Sequence, residues 1–296
     1  MLSILIPIYN FPVAHFLGQL VDQAGKLDVY CEVICLDDAS EPSMHQNNQQ
    51  AAAKMGVKYV RSEKNLGRSA ARNELVRMAN TDHLLILDCD GSCPDNRFLM
   101  RYVQHLHSSY DVIYGGRIYS EDPPDDPDLY FHWYVGSNRE AIEPEERLIN
   151  PYKSFMTNNF LIRREVFEKV KMDERLTGYG HEDTLFALEL KRAGYRLDHI
   201  NNPIEHLGIE PFDVYISKSE NAVRNLSKLV RLGLVDDGVR LVQYYNRLNR
   251  IGMAAFVSKI VERFEGRIMH NLKGPAPNLL WFDLWKLSLL YRFMKE

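Results

Sequence analysis

The chain reads as an α/β protein: a mostly parallel central sheet flanked by helices, followed by a helical C-terminal extension. Three observations predict this. Short apolar runs alternate with helix-length amphipathic stretches through the first hundred residues, as strands joined by crossover helices do. Several runs are apolar at consecutive positions, the pattern of strands covered on both faces. Beyond about Pro211 strand signals stop and helical periodicity continues to the end.

The first strand is "LSILIPI", and "PVAHFLGQLVDQ" has helical spacing after Pro12. "YCEVICLDD" is the second strand, with a helix near "MHQNNQQAAAKM". "VKYVRS" and "HLLILDCD" are the third and fourth, separated by a helix through "GRSAARNELVRMAN". The stretch "YSEDPPDDPDLYFHW" is too rich in Pro and Asp for regular structure and reads as a loop over a site. "SFMTNNFLIRREVFEKV" is a strand running into a helix, and "GYGHEDTLFALELKRAGYRLDHI" is a Gly-rich turn opening a helix that ends near Gly194. These elements divide the chain into a domain over 1–210, with halves 1–120 and 121–210, and a helical extension over 211–296.

Composition is that of an ordinary soluble globular protein, and the net charge of −4 gives no global sign of nucleic acid binding. Charge is nonetheless uneven. From Pro211 onward 14 Lys and Arg stand against 8 Asp and Glu, so a basic tail follows an acidic body. Such a tail suits an anionic surface. The apolar start, "MLSILIPIYNFPV", lacks a basic lead and carries two prolines, so it is expected to be neither a signal peptide nor an anchor. The cysteines, Cys31, Cys35, Cys89 and Cys93, fit free thiols in a reducing cytoplasm better than a zinc site, because Cys35 lies within a buried strand.

Ligands of an open parallel sheet bind at the carboxyl ends of its strands. The first strand delivers Pro7 and Tyr9 there, and the second Asp37 and Asp38. The third leads to Arg68 and Arg72, and the fourth ends in Asp88 and Asp90. An aromatic stacks on a base, arginines pair with phosphates and an Asp-x-Asp holds a divalent cation. Each element also has a plainer reading. Asp37, Asp38 and Ser40 can form a turn and cap a helix, the arginines can be a solvated helix face, and Asp-Cys-Asp-Gly can be a tight turn. Their succession on consecutive strand ends is the stronger signal.

"ILIPIYN", "CLDDAS", "NLGRSAARN" and "LLILDCDGS" together resemble the nucleotide-binding half of the family-two glycosyltransferases, which have the GT-A fold. The resemblance covers about residues 1–120 and continues more weakly to about 210. It implies that Pro7 and Tyr9 frame a nucleobase, that Asp38 accepts from it, and that Arg68 and Arg72 lie near the ribose and diphosphate. It places Asp88 near the ribose and metal and Asp90 on a bound Mn²⁺ or Mg²⁺. "GYGHED" resembles the Gly-aromatic-Gly-x-Glu-Asp motif of several inverting sugar transferases, galactosyltransferases among them. That likeness makes Asp183 the general base and Glu182 an acceptor contact, with Gly180 close to acceptor or sugar. Read alone, the acidic pair complements a helix dipole. His206, in "PIEHLGIE", is the third metal ligand by the same resemblance and a structural hydrogen-bonder otherwise. Asn158 and Asn159 are sugar or acceptor contacts, or loop holders.

The expected activity is metal-dependent, inverting transfer from a nucleotide sugar, a UDP-sugar above all, to a hydroxyl of a glycan or lipid-linked saccharide. The Gln-x-x-Arg-Trp motif of processive synthases is absent, which favours single transfers. A sugar-phosphate nucleotidyltransferase and a catalytically silent glycan-binding scaffold are the alternatives; against the first, the chain has "PIYNFP" where such enzymes carry a Gly-rich basic loop after the first strand. The aromatic, basic stretch "LLWFDLWKLSLLYRFMKE" packs on protein or lies on the inner face of a membrane as an interfacial helix. The expected location is the cytoplasm.

Overall fold

The computed structural model describes residues 1–296 apart from positions 177 and 236. The chain forms two compact units: Met1–Ser120 with Glu140–Thr177 and Glu182–Gly208, and Glu121–Arg139 with Gly178–His181 and Ile209–Glu296.

Four β-strands and three helices open the first unit: β1 (Leu2–Ile8), α1 (Ala14–Ala24), β2 (Cys31–Asp37), α2 (Pro42–Lys54), β3 (Lys58–Arg61), α3 (Arg68–Met78) and β4 (His83–Leu87). They are followed by β5 (Gly91–Ser92), α4 (Phe98–Val103), β6 (Val112–Tyr114) and β7 (Arg117–Ile118). Helix α5 (Tyr130–Arg139) belongs to the second unit. The first then resumes with α6 (Pro144–Ile149), β8 (Asn159–Arg163), α7 (Arg164–Val170), α8 (Glu182–Arg192), β9 (Leu197–His199) and β10 (Ile204–His206). Seven strands form one sheet in the order β3-β2-β1-β4-β8-β6-β9, in which only β8 runs against its neighbours. The expected mostly parallel sheet is therefore present.

The consecutive apolar residues of β1 and β4 serve both faces of that sheet. Ile4, Ile6, Leu85 and Leu87 join Phe16, Leu20, Phe98 and Tyr102 on one side. Leu5, Leu84 and Ile86 join Leu75, Phe167, Phe186 and Leu190 on the other. Burying each Leu or Ile is worth roughly 1.5–3 kcal/mol, so both faces need their helices. A second sheet, β5-β10-β7, sets β10 antiparallel to β5 with His206 opposite Gly91.

The second unit adds α9 (Phe212–Arg231), α10 (Arg240–Arg250), α11 (Ala254–Leu272) and α12 (Leu279–Phe293). Of the two readings of the C-terminal stretch, packing on protein accounts for the apolar face of α12. Phe282, Trp285, Leu289, Leu290 and Phe293 are buried, and the helix packs on α9 and α11. Among the described residues no helix is long and apolar enough to cross a membrane. One expectation is corrected. Tyr130–Trp133, read as part of a loop, open α5, because Phe131 anchors against the rings of Phe212 and Phe282 at 5.4 and 5.2 Å. The Pro- and Asp-rich residues before them remain irregular.

The end of β2 is fixed by Asp37, which is fully buried. Its carboxylate accepts from Ser40 N at 2.8 Å and Tyr59 Oη at 2.9 Å, and contacts His45 Nδ1 at 2.8 Å. Burial pushes its pKa up, but the bonds from Ser40, Tyr59 and His45 outweigh burial and hold it below the usual carboxylate range. The ionised form therefore stabilises the fold above the unfolded-state pKa, and that contribution is lost as pH falls through the lower folded value. Asp37→Ala strands these buried donors and is expected to lower the unfolding free energy by about 2–4 kcal/mol at neutral pH. Urea titration checks this, and the wild-type advantage should shrink at pH values below the carboxylate range.

Candidate active site

Asp38, one residue past β2, is nearly buried. Its carboxylate accepts from Leu66 N at 2.6 Å and Gly67 N at 3.0 Å, and its carbonyl accepts from Asn65 Nδ2 at 3.1 Å. The residue thus grips the loop that leads into α3. Each carboxylate oxygen keeps a second lone pair for a ligand. Tyr9, at the end of β1, is 54% exposed, so its ring is open for stacking, and Pro7 lies two residues before it within the strand.

Helix α3 starts directly after the gripped loop and carries both arginines. Arg72 is 2% exposed, donates to Asp88 Oδ1 at 2.5 Å and to the carbonyl of Arg68 at 3.2 Å. It is a buried ion-pair partner, not a solvated face. Arg68, one turn earlier and more exposed, pairs with Glu182 at 3.1 Å. One short helix therefore links the end of β4 to the start of α8.

Asp88 faces a second guanidinium. Arg117 Nη2 lies 3.7 Å from Asp88 Oδ2, and its Nη1 donates to Glu140 Oε2 at 2.9 Å. Burial opposes the charge on Arg117, but Tyr119, Glu140, Asp90 and Asp88 hold it protonated. Tyr119 donates to the same Glu140 oxygen at 2.5 Å and sets its ring edge-on to His206 at 5.5 Å. Arg117, Tyr119 and Glu140 were not legible as site residues from sequence. The signal available was the Arg-x-Tyr alternation after Gly115-Gly116, which puts both side chains on one side of an extended segment.

Asp90 and His206 meet because β5 and β10 pair: His206 Nδ1 lies 3.4 Å from Asp90 Oδ1, and Leu207 N donates to the Asp90 carbonyl at 2.8 Å. Burial raises the Asp90 pKa, but His206, Arg117 and Arg68 hold it far below the usual carboxylate value. The approach of β10 leaves no room for a side chain at residue 208, where a Cβ would strike the Asp90 carboxylate. Among the described residues no three His, Cys, Asp or Glu side chains converge as a complete metal cluster. The Asp90–His206 pair is the oxygen-and-imidazole set that a hard or borderline divalent ion accepts. Asp88 is turned to its two arginines.

Among the described residues, Arg72 Nε, Arg117 Nε and Asn158 Nδ2, on three neighbours of Asp88, are buried without a hydrogen-bond partner. Asn158 also accepts Asp88 N through its carbonyl at 2.9 Å and Tyr114 Oη through its side chain at 3.2 Å. Of the two readings of Asn159, sugar or acceptor contact and loop holder, its bonds fit the second. It is fully buried; its side chain accepts from Tyr102 Oη at 2.7 Å and donates to the carbonyls of Gly116 and Asn202 at 3.0 and 2.9 Å. No amide hydrogen of that side chain is left for a ligand.

Glu182 and Asp183 open α8. Burial pushes Glu182 up, but Arg68 and Arg72 outweigh it and keep Glu182 ionised below its usual range. Asp183 is pushed up to about 6 by burial and by the adjoining charge of Glu182, against the pull of Thr184 N, Arg68 and Arg72. Neighbouring carboxylates with pKa values driven apart are the arrangement that separates a fixed charge from a proton acceptor. Gly180 precedes them in the second unit, with φ of +100° and no space for a Cβ beside Ala222 of α9. Glycine is required there by backbone and packing.

The chain is 29% identical over 225 residues to the hyaluronan synthase of Pasteurella multocida, covering 65% of this chain and 23% of that protein. It thus spans about a quarter of that relative's length. It is 21% identical over 234 residues to an uncharacterized glycosyltransferase of Methanocaldococcus jannaschii, covering 74% of each. Among solved structures it is similar to glucosyl-3-phosphoglycerate synthase from Mycobacterium tuberculosis in complex with Mn²⁺ and uridine diphosphate. That likeness has a TM-score of 0.54 at 17% identity and covers 81% of this chain and 82% of the other. A mannosyltransferase from Pyrobaculum calidifontis in complex with GDP-mannose and Mn²⁺ aligns with a TM-score of 0.54 at 16% identity, over 78% and 64% of the two chains. These structures share the GT-A architecture built from the same parallel sheet. The family model described as glycosyl transferase family 2 matches residues 3–171, more than half of the chain, and this protein belongs to that family.

Proposed function

We propose that this glycosyltransferase moves a sugar, with inversion, from a UDP-sugar to a hydroxyl of a glycan or lipid-linked saccharide. The observation that carries the reading is the rim on which Arg68, Arg72 and Arg117 pair with Glu182, Asp88 and Glu140 beside the Asp90–His206 pair, cations and acids of the kinds that suit a diphosphate and a divalent ion. The hyaluronan synthase and the solved structures with uridine diphosphate support a nucleotide-sugar donor.

In this reading Tyr9 stacks on the base, Pro7 borders it and Asp38 accepts from it while holding the α3 loop. Arg72 and Arg117 fix Asp88 toward the ribose, and Asn158 donates to the sugar or a phosphate. Asp90 and His206 would hold a divalent ion. When bound, that ion supplies positive charge to the diphosphate as it leaves. Arg68 keeps Glu182 charged and in place against the acceptor. Asp183 takes the proton of the acceptor hydroxyl while that oxygen bonds to the anomeric carbon and the bond to the phosphate oxygen breaks. We place the reaction in the cytoplasm, a location in keeping with four cysteines that are all free thiols.

Calorimetric titration of UDP tests the donor site. Binding is expected to strengthen at least tenfold with Mn²⁺, and Asp90→Ala should remove that gain; affinity indifferent to the metal in both proteins overturns the assignment. Asp183→Asn should lower turnover, followed as UDP release from the UDP-sugar, by roughly 10²–10⁴-fold with UDP affinity unchanged. Wild-type turnover should fall on the acid side of about pH 6, where Asp183 takes up its proton. Because the raised pKa means that ionising Asp183 weakens the fold above that pH, Asp183→Asn is expected to melt no lower than wild type at pH 8.

A further inference from the structure

We propose that the outward face of α11 is a docking surface for an anionic lipid bilayer. Helix α11 buries Ala254, Ser258, Val261, Ile268 and Leu272 within its own unit. Its opposite face should be polar in a helix that meets only water. Instead Phe256, Ile260 and Phe264, four residues apart and so aligned along the axis, are 57%, 43% and 41% exposed. Ile251 and Met253, at the turn from α10, extend the exposed row to 69% and 39%.

The charges on this helix are sorted. Exposed Glu262 accepts from the buried Ser258 hydroxyl one turn earlier on the same helix at 2.9 Å, and Glu265 accepts from Trp285 Nε1 of α12 at 2.9 Å. Lys259, Arg263 and Arg267 are exposed at the same four-residue spacing beside the apolar row, and Arg267 lies over the Phe264 ring at 5.4 Å. An apolar ridge with a cationic border is the chemistry of a helix lying in a headgroup layer, where aromatic and aliphatic side chains enter the acyl boundary and cations meet lipid phosphate. A second copy of the chain fits less well. A two-fold contact would set this cationic row against itself. The tail helix α12, the segment whose composition first suggested a membrane, buries Phe282, Trp285, Leu289, Leu290 and Phe293 and leaves Leu280 and Trp281 exposed, whereas the aligned exposed row belongs to its neighbour.

Flotation of the intact protein with vesicles tests the proposal. Vesicles of equal parts phosphatidylglycerol and phosphatidylcholine should carry the protein upward, and phosphatidylcholine alone should not. Lys259→Glu with Arg263→Glu, and separately Phe256→Ser with Ile260→Ser, should each lower the vesicle-bound fraction by roughly tenfold or more. Both should leave circular dichroism and UDP binding unchanged. Lys228→Glu with Arg231→Glu, an equal change of charge on α9, should float as wild type. Failure of the wild type to float, retention by the α11 variants, or equal loss in the α9 control overturns the proposal. So does an oligomer, seen by light scattering, that dissociates in Phe256→Ser with Ile260→Ser while wild type binds no vesicle.

Discussion

The arrangement of the first unit depends on one ion pair, that of buried Arg72 with half-buried Asp88. A guanidinium 2% exposed cannot shed its charge, so the strand end beside it must supply a carboxylate. Such a pair rarely adds net stability, because desolvating both charges offsets their attraction, whereas removing one partner costs about 3–5 kcal/mol. Its value here is geometric. Asp38 grips the amides of Leu66 and Gly67 and so fixes where α3 begins. With the start of the helix set, Arg68 and Arg72 reach the start of α8 and the end of β4 from adjacent turns.

The electrostatics follow from that frame. Asp88, Asp90, Glu140, Glu182 and Asp183 are five carboxylates that share their charge with three guanidiniums, those of Arg68, Arg72 and Arg117. The first unit's rim is therefore short of two positive charges when all five acids are ionised. The deficit has a graded outcome. Asp90, near two arginines and His206, stays ionised, while Asp183, beside Glu182, holds its proton more tightly. In the proposed reading, a divalent cation at Asp90 and His206 would offset that deficit.

Much of this was legible in the sequence because local rules decide it. Consecutive apolar residues in "HLLILDCD" mark a strand buried on both faces, and the acids at its end lie where ligands of a parallel sheet bind. What was not legible depends on partners distant in the chain. Arg117 and Tyr119 become site residues only through Glu140 and through the register of β7 with β10. Asn158 and Asn159 are adjacent and chemically identical, yet alternation along the backbone sends one side chain to Tyr114 and the other to Tyr102, and only the first keeps an unpartnered N–H. Tyr130–Trp133 looked irregular because Pro and Asp precede them, whereas the aromatic packing of Phe131 determines a helix.

The stretch "GYGHED" answers two unrelated structural demands. Its first four residues belong to the second unit and its last two to the first. Gly178, Gly180 and His181 all have positive φ, Asn225 donates to the Tyr179 carbonyl at 3.1 Å, and Gly180 admits no Cβ beside Ala222. Those features are backbone geometry and close approach, and they select glycine for what it lacks. Glu182 and Asp183 differ in charge state, one held ionised by Arg68 and the other driven toward protonation by burial and its neighbour. A change in the first part acts on the path of the backbone, and one in the second on the charge at the start of α8. The motif is short because the peptide that makes the turn also delivers both carboxylates to the first turn of α8.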